Sequence, residues 1–373
     1  METYRLKSKL VENDREFVIQ TLNDTNLGAI SSEIYVNGRL AETVSHPHPL
    51  EIRAEEVLSL IKATHGEKKK ELETILGAYR RIMKDGNPEM LMHLGTALYY
   101  KGFFAEAREV LSALTSLRPE SHQAHNVLAM NLLALDDVDE AVAAGTVAVE
   151  ACPNYADYRN NYGAALLAAG RFEEAHRQFK QAIEINLYYG DAYFNLGLTY
   201  IALAQTNELV NASEKLVGKA CDCFQRAAMI NSGYDSGYFD TGLKALRDGD
   251  PDQAWTTMNS VRAVWVERHR REFAGFHMRF ILHPEWVSER TVEERIRYLE
   301  REVRKNPSYV DLYTELGRCY LEQARLFWEK GLDQYRKATE LNPSLARAAE
   351  RFETADERYR DITATLEKMG QKG

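Results

Sequence analysis

Polar and apolar positions follow two different periods along this chain. Over residues 4–46 they alternate in short runs, such as Glu16-Phe17-Val18-Ile19-Gln20-Thr21 and Ile30-Ser31-Ser32-Glu33-Ile34-Tyr35-Val36. Period-two patterning broken by turn residues predicts strands. Asn37-Gly38 is a strong hairpin signal, because a type I′ turn needs positive φ at both central residues. Turns at Glu12-Asn13-Asp14 and at Asn23 to Asn26 complete an expected antiparallel meander of about four strands. So small a sheet buries one face and needs a lid. His46-Pro47-His48-Pro49 ends the last strand and reads as a rigid connector.

From Arg53 to Lys84 the apolar positions Val57, Leu60, Ile61, Leu72, Ile75, Leu76, Tyr79, Ile82 and Met83 fall at helical spacing, which predicts the amphipathic lid. Two helices, or one kinked at His65-Gly66, both fit the pattern. The run Glu67-Lys68-Lys69-Lys70-Glu71 reads as a solvated face with internal ion pairs.

From Asn87 onward the same residue types return every 34 positions. Leu94, Leu128, Tyr162 and Leu196 form one series, Ala107, Ala141 and Ala175 a second, and Pro119 and Pro153 a third. That period is the signature of stacked helix-turn-helix units. The small residues Gly95, Ala129, Gly163 and Gly197 follow the first series, and Ala107, Ala141, Ala175 and Ala220 sit on the helices after them. Small residue facing small residue is the expected packing. Turns such as Ala169-Gly170-Arg171 join the helices of a pair.

With these residues in place the chain resembles the tetratricopeptide-repeat (TPR) family. Tyr162-Gly163-Ala164-Ala165-Leu166, Gly170-Arg171-Phe172-Glu173-Glu174-Ala175, Phe179 and Ala182 match that family's helix pair, as does Tyr193 to Tyr200. The resemblance implies a mostly α fold, a TPR-type α-solenoid wound as a right-handed superhelix of helix pairs, here behind a small N-terminal antiparallel β-meander.

The period also breaks. Ala220 replaces the position 209 that strict spacing predicts, so eleven residues are inserted, expected at the inter-helix turn within 204–218. A fifth repeat resumes with Gly242, Gly249 and Ala254 but runs into Trp255, Trp265, Phe273, Phe276 and Phe280. Residues 261–307 fit the motif poorly. A last repeat is expected at Tyr313, Leu316, Gly317, Tyr320, Tyr335 and Ala338, with about two extra residues between its helices. The divisions read as a sheet module over 1–50, a helical connector over 51–86, about six repeats over 87–343 and a C-terminal helix over 344–373. That helix carries Leu345, Ala348, Phe352, Ala355, Tyr359, Ile362, Leu366 and Met369, a stripe that suits a cap on the last repeat or a coiled-coil seam.

A net charge of -9 with dispersed basic residues does not suggest a phosphate-backbone footprint, so nucleic acid is not an expected partner. The N-terminal residues lack a signal-peptide pattern and no 18-residue apolar run follows, so no membrane insertion is expected and the reading is cytoplasmic. The four cysteines, Cys152, Cys221, Cys223 and Cys319, read as reduced thiols, and Cys221-Asp222-Cys223 lacks the further ligands a metal needs. No phosphate loop, zinc-peptidase motif or nucleophile elbow occurs. Neither an enzyme nor a cofactor is expected.

In the resembled family the first helix of each pair lines an inner groove that commonly receives a peptide. Asn126, Asn160, Asn161 and Asn195 fall on that side, where amides can bond a peptide backbone or bond neighbouring helices. Asp157 and Asp191 lie in first turns, where they select a basic partner or complement the helix dipole. Tyr99 and Phe194 are the expected aromatic anchors. The leading expectation is a non-catalytic scaffold or adaptor that binds another protein or peptide in this groove. The alternative is a homo-oligomer assembled through the C-terminal helix or an exposed strand edge.

Overall fold

The computed structural model describes residues 4–12, 14–24, 28–49, 53–206, 210–234, 236–282, 289–305, 310–341 and 350–360. They fall into two compact units, Met1–Leu282 and His283–Gly373.

The first unit opens with an antiparallel meander of β1 (Arg5–Glu12), β2 (Arg15–Asp24), β3 (Ala29–Val36) and β4 (Arg39–Pro47), in that spatial order. The hairpin at Asn37-Gly38 has positive φ at both residues, 49° and 81°. Phe17, Ile19, Ile30 and Ile34 point to one face and are buried. Helix α1 (Ala54–Asp85) covers them with Val57, Ile61, Leu72 and Ile75. The helix is continuous through His65-Gly66, so the segment is one helix rather than two. His65 is buried and bonds Ser8 Oγ at 2.7 Å and Thr21 Oγ1 at 3.0 Å. The charged run after it is not simply a solvated face, because Lys68 and Glu71 join Glu42 of β4 in a largely buried ion cluster.

Helix pairs follow: α2 (Pro88–Lys101) with α3 (Phe104–Leu117), α4 (His122–Ala134) with α5 (Val138–Ala151), α6 (Ala156–Ala168) with α7 (Phe172–Ile185), α8 (Gly190–Thr206) with α9 (Val210–Ile230), and α10 (Gly237–Arg247) with α11 (Pro251–Leu282). Gly102, Asp136, Gly170 and Gly249 adopt left-handed φ at four of the turns within pairs, where such a residue closes a helix. Ala107, Ala141, Ala175, Ala220 and Ala254 are fully buried. The close contacts nevertheless pair small with large, contrary to the small-on-small expectation. An added Cβ would meet Leu111 at Gly95, Phe179 at Gly163, Phe224 at Gly197 and Met258 at Gly242. Each glycine is the hole into which a large residue of the second helix inserts.

The insertion expected at the turn is taken up by lengthening both helices of the fourth pair. α8 has 17 residues and α9 has 21, against 13 or 14 in the preceding pairs. Adding whole turns keeps backbone hydrogen bonds satisfied that a long loop would leave open.

The second unit contains α12 (Glu289–Lys305), α13 (Val310–Leu341) and a helix, α14, over 350–360. The repeat expected from Tyr313 to Ala338 is not a helix pair, because α13 is one uninterrupted helix of 32 residues. Gly331 is helical and does not take the left-handed φ seen at the turns of the first unit. The described residues of the first unit hold five helix pairs, and in the second unit α12 packs against α13. α14 lies against α13, where Trp328 Nε1 donates to the Ala355 carbonyl at 3.1 Å and Arg336 covers the Phe352 ring at 5.8 Å. Of the expected C-terminal stripe, Leu345, Ala348, Ile362, Leu366 and Met369 lie outside the described residues.

Candidate partner-binding site

The first helices α2, α4, α6 and α8 stand side by side, each against the next first helix as well as its own partner. This places residues 34 or 35 apart opposite one another. Asn161 Nδ2 donates to Asn126 Oδ1 at 3.0 Å, and Asn195 Nδ2 donates to Asn160 Oδ1 at 2.9 Å. The four asparagines thus come together as two cross-helix pairs. Asn126, Asn160 and Asn195 are only 6–7% exposed and Asn161 is half-buried. An amide offers two donor hydrogens and two acceptor sites. Each pair uses one amide nitrogen and one oxygen, and Asn126 Nδ2, Asn161 Oδ1, Asn160 Nδ2 and Asn195 Oδ1 bond no other described residue.

The two expected aromatic anchors lie elsewhere. Phe194 is 0% exposed, stacked on Tyr234 at 4.5 Å and edge-on to Phe224 at 4.9 Å, so its ring fills the core of the fourth repeat and presents no face to a ligand. Tyr99 is buried between Tyr100 and Phe104, and burial pushes its hydroxyl pKa up to about 12. Asp157 is half-buried beside Tyr158. Asp191 accepts hydrogen bonds from Tyr234 Oη at 2.5 Å and from Trp265 Nε1 at 3.2 Å.

That indole belongs to α11, whose second half departs from the repeat pattern. The second helices α3, α5 and α7 have 14 residues each, whereas α11 has 32. Beyond its pairing with α10 it meets α8 and then α2, the first helices of the fourth and first pairs. Trp265, His269, Phe273 and His277 recur every fourth residue and form a row of ring contacts along the helix. Tyr100 of α2 stacks on Phe273 at 5.7 Å and on His277 at 4.7 Å. Arg270, 7% exposed, donates to the Tyr100 carbonyl at 2.8 Å, pairs with Glu267 and lies over the Phe104 ring. The spacing of four from Trp265 to His277 was the sequence signal for this contact. It reads equally well as the core stripe of any helix.

No group of three or more His, Cys, Asp or Glu is placed to hold a metal ion among the described residues. Burial raises the pKa of the Cys221 thiol and pushes that of Cys223 up to about 12, which disfavours the thiolates a metal would require. No helix among the described residues is long and apolar enough to cross a membrane.

Residues 93–156 and 163–212 match the profile of the tetratricopeptide repeat. Over those residues the helix pairs are TPR repeats. The matched segments run from α2 into α9 and contain Asn126 and Asn195, with Asn160 and Asn161 in the short gap between them. No curated protein matches the chain. Among solved structures, it is similar to the MamA protein at 19% identity and a TM-score of 0.36, over 50% of this chain and 93% of that one. It is also similar to YrrB, described as a TPR protein with an unusual peptide-binding site, at 14% identity and a TM-score of 0.35, over 53% and 97%. A third likeness, to an O-GlcNAc transferase of Thermobaculum terrenum, has 21% identity and a TM-score of 0.32. It covers 37% of this chain but only 26% of that enzyme.

Proposed function

We propose that this TPR protein is a non-catalytic, cytoplasmic interaction scaffold that takes an extended segment of a partner protein against the first helices of its second to fourth repeats. The observation that carries this reading is the pair of asparagine bridges. Each holds its amides in a fixed orientation and leaves one nitrogen and one oxygen without a bond to any described residue. An extended peptide presents its own carbonyls and N–H groups in alternation, so such amides bond it whatever its side chains. Side-chain preference then comes from the carboxylate of Asp157, which favours basic residues, since Asp191 is engaged by Tyr234 and Trp265.

Assembly through the sheet edge is less well supported. The exposed positions of the outer strand β1 are Arg5, Lys7, Lys9 and Val11. Charges along an edge oppose the addition of another strand.

The test is a pull-down with the full chain as bait, compared with a variant carrying Asn160→Ala, Asn161→Ala and Asn195→Ala. Circular dichroism of both proteins checks that the variant is folded. Loss of recovered partners from the folded variant is expected, and unchanged recovery contradicts the assignment.

A further inference from the structure

The second half of α11 extends beyond its pairing with α10, and it is more basic than the chain as a whole. Residues 261–280 contain five arginines and two histidines against two glutamates, in a chain of net charge -9. One side of this segment lies on α8 and α2 through Trp265, Phe273, His277 and Arg270. Val264, Val266, Arg268 and Arg271 are exposed. The contact is therefore a single helix laid on a first-helix surface. Two of its polar bonds run to groups that any helix of the same pattern can reach, the Asp191 carboxylate and the Tyr100 carbonyl.

We propose that the surface formed by Asp191 of α8 and Tyr100 of α2 is a docking site for a basic, aromatic helix of a partner protein, and that the second half of α11 is the chain's own competing occupant. This rests on the scaffold reading and names a partner class for it. The matching helix carries aromatic or imidazole rings at every fourth position, as Trp265, His269, Phe273 and His277 do, with an arginine in the place of Arg270. Ring stacking on Tyr100 supplies contact area, and the guanidinium bond to a backbone carbonyl fixes register. Charge complementarity with the acidic chain favours a basic helix over a neutral one. Affinity is set by how far the partner's contacts exceed those of α11, because the tethered segment has the advantage of a high effective concentration.

The experiment uses the full chain and a fluorescein-labelled synthetic peptide of residues 261–282 as the probe. Three proteins are compared: wild type, Trp265→Ala/Arg270→Ala, and that double variant with Tyr100→Ala added. Hydrogen exchange across residues 264–282 reports whether α11 is loosened, and fluorescence anisotropy reports peptide binding. Exchange should accelerate in the double variant, and peptide affinity should rise at least tenfold over wild type. Adding Tyr100→Ala should return it to the wild-type level, and a scrambled peptide should bind none of the three. Faster exchange without a gain in affinity overturns the proposal, as does equal binding of the scrambled peptide. Unchanged exchange in the double variant makes α11 a fixed part of the fold and overturns it too. The Asn160→Ala/Asn161→Ala/Asn195→Ala protein carries neither Tyr100 nor Asp191 changes, so a negative pull-down with it and a negative peptide result are separate outcomes.

Discussion

Arg270 of α11 donates from Nη1 to the carbonyl oxygen of Tyr100 at 2.8 Å, tying together residues 170 positions apart. Tyr100 lies in the last turn of α2 (Pro88–Lys101), where backbone carbonyls lack helical partners and attract cations. The guanidinium is nearly buried, so its loss removes a bond that solvent replaces poorly. Arg270→Ala should destabilise the folded chain by about 2–3 kcal/mol, with Arg270→Lys recovering only part. Urea titration of the three proteins measures both effects.

Gly163 and Phe179 make a sharper test of repeat packing. A Cβ at Gly163 would stand 2.7 Å from Phe179 Cε1, and the Phe179 ring is fully buried. Gly163→Ala gains about 1 kcal/mol of helix propensity but overpacks the core by about 1–3 kcal/mol, so a net loss of up to about 2 kcal/mol is expected. Phe179→Leu frees the space. The double variant should be more stable than the sum of the two single changes predicts, and a double-mutant cycle reads that coupling.

Much of this architecture was written locally. The alternation before residue 46, the Asn37-Gly38 turn and the 34-residue period each specify an element through contacts within one hairpin or one helix pair. The asparagines at 126, 160, 161 and 195 were legible for the same reason, since the period places them on neighbouring first helices. Phe194 was misplaced because helical spacing does not say which side of a first helix meets Tyr234 and Phe224. The return of α11 to Tyr100 depends on a contact 170 residues away, and no local pattern encodes that. The continuous α13 shows the converse error. A repeat-like residue pattern from Tyr313 to Ala338 predicted a turn, yet Gly331 does not leave helical backbone to make one.

His65 provides a pH test of the sheet and its lid. Burial, with the nearby Lys69 charge, lowers its pKa below the usual histidine value, and its ring bonds Ser8 and Thr21. The unfolded chain then binds a proton more readily than the folded one, so folding stability is full above about pH 6.5. Stability falls as pH drops from there toward the folded pKa, with a slope of at most about 1.4 kcal/mol per pH unit from this group. Denaturant midpoints measured between pH 5 and 8 should show the decline in wild type. His65→Gln should be less stable at pH 8 and should lose that slope.

The most deeply buried ammonium in the described structure to bridge the sheet and the repeats is that of Lys101. It is 6% exposed, lies 2.7 Å from Glu42 of β4 and 2.5 Å from Glu71 of α1, and Lys68 pairs with the same two carboxylates. Burial alone would raise the Glu71 pKa, but the charges of Lys101 and Lys68 outweigh it and leave the pKa lowered. Lys101→Met removes one cation and leaves two carboxylates sharing Lys68, which should cost about 3–5 kcal/mol at neutral pH. A carboxylate with a depressed folded pKa contributes stability above its unfolded value, and that contribution is lost as pH falls through the folded value. In the variant the Glu71 pKa rises, so protonation relieves the repulsion and the gap to wild type should narrow as the solution is acidified. Adding Glu42→Gln to Lys101→Met, which leaves Lys68 paired with Glu71, should restore most of the lost stability at pH 7. Thermal unfolding of the three proteins at pH 7 and at pH 4.5 measures the gap. A gap that stays constant between the two pH values excludes the electrostatic account and leaves lost packing of the lysine stem as the cause.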